Sequence, residues 1–324
     1  MDIYFTGTPS RRGVDISKHL NVHYLKSESI NSEFSKLFLF KLFIFFKNIF
    51  RDYNNIKILR PSKIIYEHAG DFNPIFSILI YRVFNFCELL VDCHTCVYID
   101  NNFSFIKKYF NKLIINKSKI FIAHNNETLN LKKIHSNMLV LESKIPDLSG
   151  SFRSEKFNKS KFNVVFITRF NNDEPIDEMI LATKYFKQNF HFFFTGNHKK
   201  LINNIRMSNV TFTGFLEDQE YNNLLKTCDV HVVLTKRDYT LLYGGRESLS
   251  LEIPLVVSDN EPCSKYFYKG SVLTNNKPKN IAKSIKDAIK SRKNLKKQLI
   301  ELKKEKNIEW SKKLKNLKNK LIND

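Results

Sequence analysis

The stretch Tyr243-Gly-Gly-Arg-Glu-Ser-Leu-Ser-Leu-Glu-Ile-Pro-Leu-Val-Val-Ser258 reads as a tight glycine turn, a short helix beginning near Glu247, and a strand started by Pro254. The strand is apolar without alternation, the pattern of a strand covered on both faces, as in a parallel sheet flanked by helices. Working outward, the same unit recurs through the chain. Strands are expected in the first half at Ile3–Thr6, Val22–Leu25, Lys63–Glu67, Leu89–Cys93, Ile120–His124 and Met138–Leu141. In the second half they are expected at Asn163–Ile167, Phe190–Thr195, Val210–Phe212, Val230–Leu234, Pro254–Ser258 and Ser271–Leu273. Helix-length segments between them imply an α/β chain with two parallel sheets of about six strands each.

The turn-rich run Ile145-Pro-Asp-Leu-Ser-Gly-Ser151, followed by charged residues to Lys161, is the linker. It divides the 324 residues into domains at 1–150 and 151–300, with a lysine-rich helix at 301–324. The nine glycines cluster at the carboxyl ends of the expected strands, among them Gly7, Gly13, Gly196, Gly214, Gly244 and Gly245. Doubly wound sheets bind ligands at those ends.

The formal charge of +21 invites a nucleic-acid partner. However, residues 277–324 hold 17 Lys/Arg against 5 Asp/Glu, so much of the excess sits in one tail, and no nucleic-acid module is visible. Five cysteines in this length do not make a disulfide scaffold, and the single Cys93-His-Thr-Cys96 pair lacks the second pair of a zinc site. The N-terminus lacks the basic-then-apolar order of a signal peptide, which points to the cytoplasm.

The 243–258 stretch resembles the donor-binding motif of GT-B-fold retaining glycosyltransferases, the group 1, family 4-like enzymes with a Glu-x7-Glu signature. Glu247 and Pro254 match the second glutamate and the proline seven residues after it. The first glutamate falls on Tyr239. A carboxylate accepts hydrogen bonds from ribose hydroxyls, and a helix N-terminus favours a diphosphate. Val164-Val-Phe-Ile-Thr-Arg169 resembles the strand with which these enzymes open their donor domain, so Arg169 is expected on the diphosphate. Five residues on, where the family has a lysine, stands Glu174; Arg246, Lys236, Arg237 or the amides of Tyr239, Thr240 and Leu241 are expected to help instead. Gly196, after Phe192-Phe-Phe-Thr, and Gly214, before Tyr221 and Asp229, resemble the turns that shape the nucleotide pocket.

In the first half the resemblance is looser. Ile64-Ile-Tyr-Glu-His68 and Leu89-Leu-Val-Asp92-Cys-His94 end strands with histidines, and the family places the later one near the transferred sugar. The resemblance implies that His94 donates a hydrogen bond to a sugar hydroxyl or to the departing phosphate, and that Asp92 orients His94 or binds the acceptor. The arginines of Gly7-Thr-Pro-Ser-Arg-Arg-Gly13 are expected on donor phosphate, on an anionic acceptor lipid, or in solvent. Together these imply two Rossmann-like domains facing across a cleft. They imply retaining, metal-independent transfer from a UDP- or GDP-sugar, without a further cofactor, to a lipid-linked acceptor in bacterial surface-polysaccharide (lipopolysaccharide or capsule) assembly. Two other readings stay open: a sugar-nucleotide epimerase of the same fold, and a non-catalytic basic protein that binds nucleic acid.

One segment stands outside the motifs. On a helical wheel of residues 33–51, Phe38, Leu39, Leu42, Phe43, Phe45, Phe46, Ile49 and Phe50 share a broad face. Lys36, Lys41, Lys47, Asn48 and Arg51 fall opposite, with Leu37, Phe40 and Ile44 intruding among them. Such a helix suits an anionic membrane surface, in which case the protein is peripheral on the inner face of the cell membrane; otherwise it covers its own sheet.

Overall fold

The apolar runs become parallel strands in the computed structural model, which describes residues 1–8, 10–27, 38–95, 97, 104–125, 134–148, 150, 160–198 and 207–323. Most of the 149–159 linker stretch, Cys96, Pro9 and residues 33–37 fall outside the described residues, as do the side chains of Phe38, Leu39 and Lys41. The chain divides into one unit of Met1–Lys144 with Lys312–Asp324, and a second of Ile145–Ser311.

In the first unit the order is β1 (Ile3–Thr6), α1 (Arg11–Leu20), β2 (His23–Lys26), α2 (Phe38–Leu59), β3 (Lys63–His68), α3 (Phe72–Phe84), β4 (Glu88–Cys93), α4 (Phe105–Asn116), β5 (Ile120–Ala123) and β6 (Met138–Val140). Its strands lie in the spatial order β2-β1-β3-β4-β5-β6, and every pairing is parallel. Continuous burial in β1 and β5 explains why their sequence shows no alternation. One face carries Ile3, Phe5, Ile64, Tyr66, Leu89 and Val91 into the main core. The period of two then puts Tyr4, Glu67 and Asp92 on the other face, with β3 and β4 in a register that sets Glu67 beside Asp92. Helix α1 starts there. Its N-cap Ser10 accepts from the Gly13 amide at 2.8 Å, and Asn21 closes it in the left-handed conformation at φ 56°.

The second unit runs β7 (Phe162–Phe166), α5 (Ile176–Thr183), β8 (Phe190–Thr195), β9 (Val210–Gly214), α6 (Asp218–Thr227), β10 (Val230–Val233), α7 (Tyr243–Leu251), β11 (Leu255–Ser258), α8 (Glu261–Tyr266), β12 (Ser271–Thr274) and α9 (Pro278–Lys290), then the start of α10 (Arg292–Asn323). Its sheet, β12-β11-β10-β7-β8-β9, is parallel throughout and has the Rossmann order, reversing direction between β7 and β10. Phe166, Phe192 and Phe194 are fully buried in its core, each contributing roughly 2–3 kcal/mol of apolar burial. Leu299 and Leu302 of α10 pack into a second cluster with Leu249, Leu255 and Phe267. From Lys312 on, α10 belongs to the first unit, where Lys313 pairs with Glu142 at 2.5 Å and Lys320 bonds Asn137 at 3.0 Å.

Helix α2 departs from the wheel reading. Its inward arc is Ile44, Asn48, Ile49, Asp52 and Ile56, so two residues assigned to the polar side, Ile44 and Asn48, are buried. Asp52 accepts from the Ser27 hydroxyl at 2.6 Å and anchors that arc. A wheel ranks arcs by polarity, and here a buried hydrogen bond outweighs the larger apolar arc in choosing the inward side. Phe40, Leu42, Phe43, Phe46 and Phe50 remain exposed. Among the described residues no helix is long and apolar enough to cross a membrane.

Candidate functional site

Two polar clusters stand at the carboxyl ends of the strands, each at the point where its own sheet reverses order.

In the first unit the centre is Asp92, wholly buried at the end of β4. Arg12 of α1 forks onto it, Nε to Oδ2 and Nη2 to Oδ1, both at 2.8 Å. The Tyr4 hydroxyl donates to Oδ2 at 2.6 Å, and His124 Nε2 lies 3.0 Å from Oδ1. Burial alone would raise the Asp92 carboxyl, but the Arg12 guanidinium and His124 hold it well below the usual carboxylate range. Burial and the Arg12 charge push His124 down to about 3. Asp92 therefore bonds Arg12, Tyr4 and His124 and not His94, and these four donors occupy its two oxygens. Arg12, expected on a phosphate or in solvent, is buried on Asp92 instead, while Arg11 is exposed.

His94 lies one residue beyond β4 with its side chain 36% exposed, and its Nε2 is 3.0 Å from Glu67 Oε1. Its ring sits 4.4 Å from that of His124. The residue that holds His94 is thus Glu67, which no motif in the sequence marks. His68 turns out to be structural. Fully buried, it engages Asn111 through Nε2 at 3.1 Å and the Gly70 amide through Nδ1 at 3.3 Å, and burial lowers it to about 3. Cys93, of the CxxC pair, is buried among core residues.

In the second unit, Arg169 is exposed just past β7. The loop carrying it is clamped by Glu174, whose carboxylate accepts from the Thr168 hydroxyl at 2.8 Å, the Arg169 amide at 3.1 Å and the Asn171 amide at 2.7 Å. The residue standing at the family's lysine position therefore shapes the loop rather than binding an anion. Gly196 is required there. At φ +87°, a Cβ on it would come within 2.4 Å of the Thr168 carbonyl and 2.7 Å of Arg169 Cα. Gly214 pairs with Thr195 on the neighbouring strand, so Arg169, Gly196 and Gly214 stand side by side at the ends of β7, β8 and β9.

Helix α7 begins at Tyr243, four residues earlier than expected from the sequence. Gly244 and Gly245 are in its first turn, where they make room for packing. A Cβ on Gly245 would meet the Phe267 ring at 2.4 Å, and one on Gly244 would meet Ile167 at 2.9 Å. The N-cap, Leu242, supplies no side-chain bond and the first turn has no acid, so no side chain of that turn offsets the helix's positive end. Glu247 is buried, and its Oε2 accepts from the Tyr221 hydroxyl at 2.7 Å. Arg246 is buried over the Tyr266 ring at 5.2 Å, with Nε lacking a hydrogen-bond partner among the described residues. The loop bearing Tyr239, Thr240 and Leu241 is tied down by Asn260, whose amide donates to the Arg237 and Thr240 carbonyls at 2.9 and 3.2 Å. Lys236 and Arg237 are each paired, with Glu178 and Asp173, at 3.3 Å.

His68 and His231 are fully buried and His124 is mostly so, and all three have depressed affinities for a proton, near 3, 4 and 3, with desolvation as the first cause. The unfolded chain binds protons on all three below about pH 6.5, whereas the folded chain does not. Stability is therefore expected to fall as pH drops from about 6.5 towards 3, by up to about 1.4 kcal/mol per pH unit for each histidine. Urea titrations at pH 7.5, 6 and 5 measure this; a flat profile contradicts the neutral buried histidines.

Comparison with known proteins bears on what these clusters do. Residues 150–306 match the sequence profile of the family described as Glycosyl transferases group 1. No curated protein matches the chain in sequence. Among solved structures, sucrose-phosphate synthase from Thermosynechococcus elongatus superposes with a TM-score of 0.72 at 10% identity, covering 100% of this chain and 98% of that one. HepE (Alr3699) of Anabaena, in complex with UDP-glucose, gives 0.72 at 14% identity, covering 98% and 100%. MnaA of S. aureus with UDP gives 0.60 at 13% identity, covering 92% and 90%. At such identities the likeness is one of fold. Residues 150–306, nearly the whole second unit, thus form a group 1 glycosyltransferase domain, and the chain that carries it is a glycosyltransferase with two Rossmann-like units of the GT-B fold.

Proposed function

We propose that the chain moves a sugar from a UDP- or GDP-sugar to a lipid-linked glycan acceptor, with retention and without a metal, in bacterial surface-polysaccharide assembly. The observation that carries this reading is the constellation in the second unit. The exposed Arg169 stands at the strand ends, and Glu247 sits in the second turn of a helix whose first turn carries no acid. The arginine and the amides of Thr240, Leu241 and the α7 N-terminus suit a diphosphate, and Glu247, held by Tyr221, suits the ribose hydroxyls. Arg246 supports the same region with a permanent buried charge. Retention is favoured because Asp92 is saturated and cannot serve as a base, leaving stabilisation of the departing diphosphate as the main contribution. UDP-glucose bound to HepE and UDP bound to MnaA agree with a nucleotide donor. Calorimetry with UDP and with GDP tests the donor site: one should bind in the micromolar range, and binding of neither removes the reading.

Metal independence carries its own test. Donor turnover is expected to be unchanged in excess EDTA, and loss of turnover restored by magnesium or manganese contradicts it.

In the same reading the protein docks on an anionic bilayer. Phe43, Phe46 and Phe50 of α2 are 49–62% exposed beside Lys47, and the chain's excess positive charge suits acidic lipids. The protein is expected to float with liposomes containing anionic lipid. Phe43→Ser, Phe46→Ser and Phe50→Ser together should abolish flotation without lowering the melting temperature, because none of the three is buried. A parent that never floats contradicts docking.

A further inference from the structure

Glu67 is 1% exposed, and its two oxygens are divided between two partners. The Ser10 hydroxyl donates to Oε2 at 2.6 Å, while Ser10 Oγ itself accepts from the Gly13 amide at 2.8 Å. The other oxygen, Oε1, lies 3.0 Å from His94 Nε2. As a carboxylate, Glu67 has only acceptor capacity to offer His94 through Oε1, so Nε2 carries the hydrogen. The remaining nitrogen, Nδ1, has no partner among the described residues, and His94 is the most exposed histidine of the cluster, its side chain 36% open against 14% for His124. His68 is buried with both nitrogens engaged, and His124, held by Asp92 in the same way, is far less exposed.

We propose that Glu67, fixed by Ser10 at the start of α1, is the positioning residue that locks His94 with Nε2–H inward and the Nδ1 lone pair outward. Resting on the glycosyl-transfer reading, this decides between the two groups His94 was expected to meet. A lone pair takes a hydrogen bond from a donor, which a sugar hydroxyl is and an ionised diphosphate oxygen is not. His94 therefore holds a hydroxyl of a sugar substrate, and Glu67 sets that preference from behind. The carboxylate would also keep the ring from turning over, so that the hydroxyl meets a fixed acceptor.

The test reads the tautomer directly. In uniformly 15N-labelled full-length protein at pH 7.5, two-bond proton–nitrogen spectra, with His94→Gln used for assignment, should show one His94 species. That species has a protonated Nε2 and an unprotonated Nδ1. A protonated Nδ1 in the wild type overturns the proposal with no variant needed. Glu67→Leu should give a mixture of tautomers, whereas Glu67→Gln, which keeps an acceptor oxygen, should retain the single species. A Glu67→Leu protein that is folded by circular dichroism and keeps the single tautomer also overturns it. In turnover of UDP-glucose or GDP-mannose, Glu67→Leu should lower kcat at least about tenfold with little change in KM, and Glu67→Gln should recover most of it. The spectra do not depend on any donor. A chain that shows the locked tautomer yet consumes neither nucleotide sugar counts against the transfer reading and leaves this one standing.

Discussion

Replacing Glu247 with alanine is expected to lower donor affinity and turnover together by at least about tenfold, equivalent to about 1.4 kcal/mol or more. The carboxylate is buried in the first turns of α7 and aligned by Tyr221 at 2.7 Å, so its acceptor oxygens are fixed before any ligand arrives. Pre-alignment makes its loss expensive for binding, because the helix's first turn holds no acid to take its place. The fold should tolerate the change. Tyr221 is only partly buried and can turn its hydroxyl to water, so the melting temperature should drop by no more than a few degrees. Calorimetry with UDP or GDP beside a thermal melt separates the two effects. Intact binding with a large fall in melting temperature would make Glu247 a structural residue and remove the donor-site assignment.

The second large effect is expected at Asp92, and it should appear in stability. Asp92→Ala leaves the buried Arg12 guanidinium without its bidentate partner and strips Tyr4 and His124 of an acceptor. An uncompensated buried charge of this kind costs about 3–5 kcal/mol, a large share of a domain's total stability. Urea unfolding should show that loss, with activity falling as far as the first unit is unfolded under the assay conditions. Pairing the change with Arg12→Met should recover much of it, since removing both charges removes the penalty that either alone creates. An Asp92→Ala protein of unchanged stability that has lost turnover contradicts the structural role and returns Asp92 to the chemistry.

The sheets were legible because burial on both faces writes an unbroken apolar run, and all twelve expected strands form, with ends that differ by one or two residues. Arg169, Gly196 and Gly214 fall at strand ends as local spacing suggested, and the strand order brings them side by side, whereas Glu247 lies inside α7 and not at its start. What could not be read were partnerships across long sequence separations. Glu67 is a lone acid in a buried strand, and nothing local says that His94 and Ser10 will converge on it. Arg12 and Asp92 are 80 residues apart, and they pair because the Arg12 side chain of α1 reaches the end of β4 that carries Asp92. Asp92 and His94 looked like natural partners from adjacency, yet the register sets Glu67 nearer to the ring. Helix α2 misled for another reason: a polar residue may face the core when a buried partner such as Ser27 awaits it. Gly244 and Gly245 signalled a turn, but what they provide is close packing against Ile167 and Phe267.

Incubation of the purified protein with UDP- and GDP-sugars labelled in the sugar, together with bacterial membrane lipid extract, tests the central claim most directly. The account predicts that label leaves one of these nucleotides and appears in the lipid fraction, that EDTA does not prevent it, and that Glu247→Ala reduces it at least about tenfold. Label that stays on the nucleotide, whether unchanged or as an epimerised sugar, contradicts it.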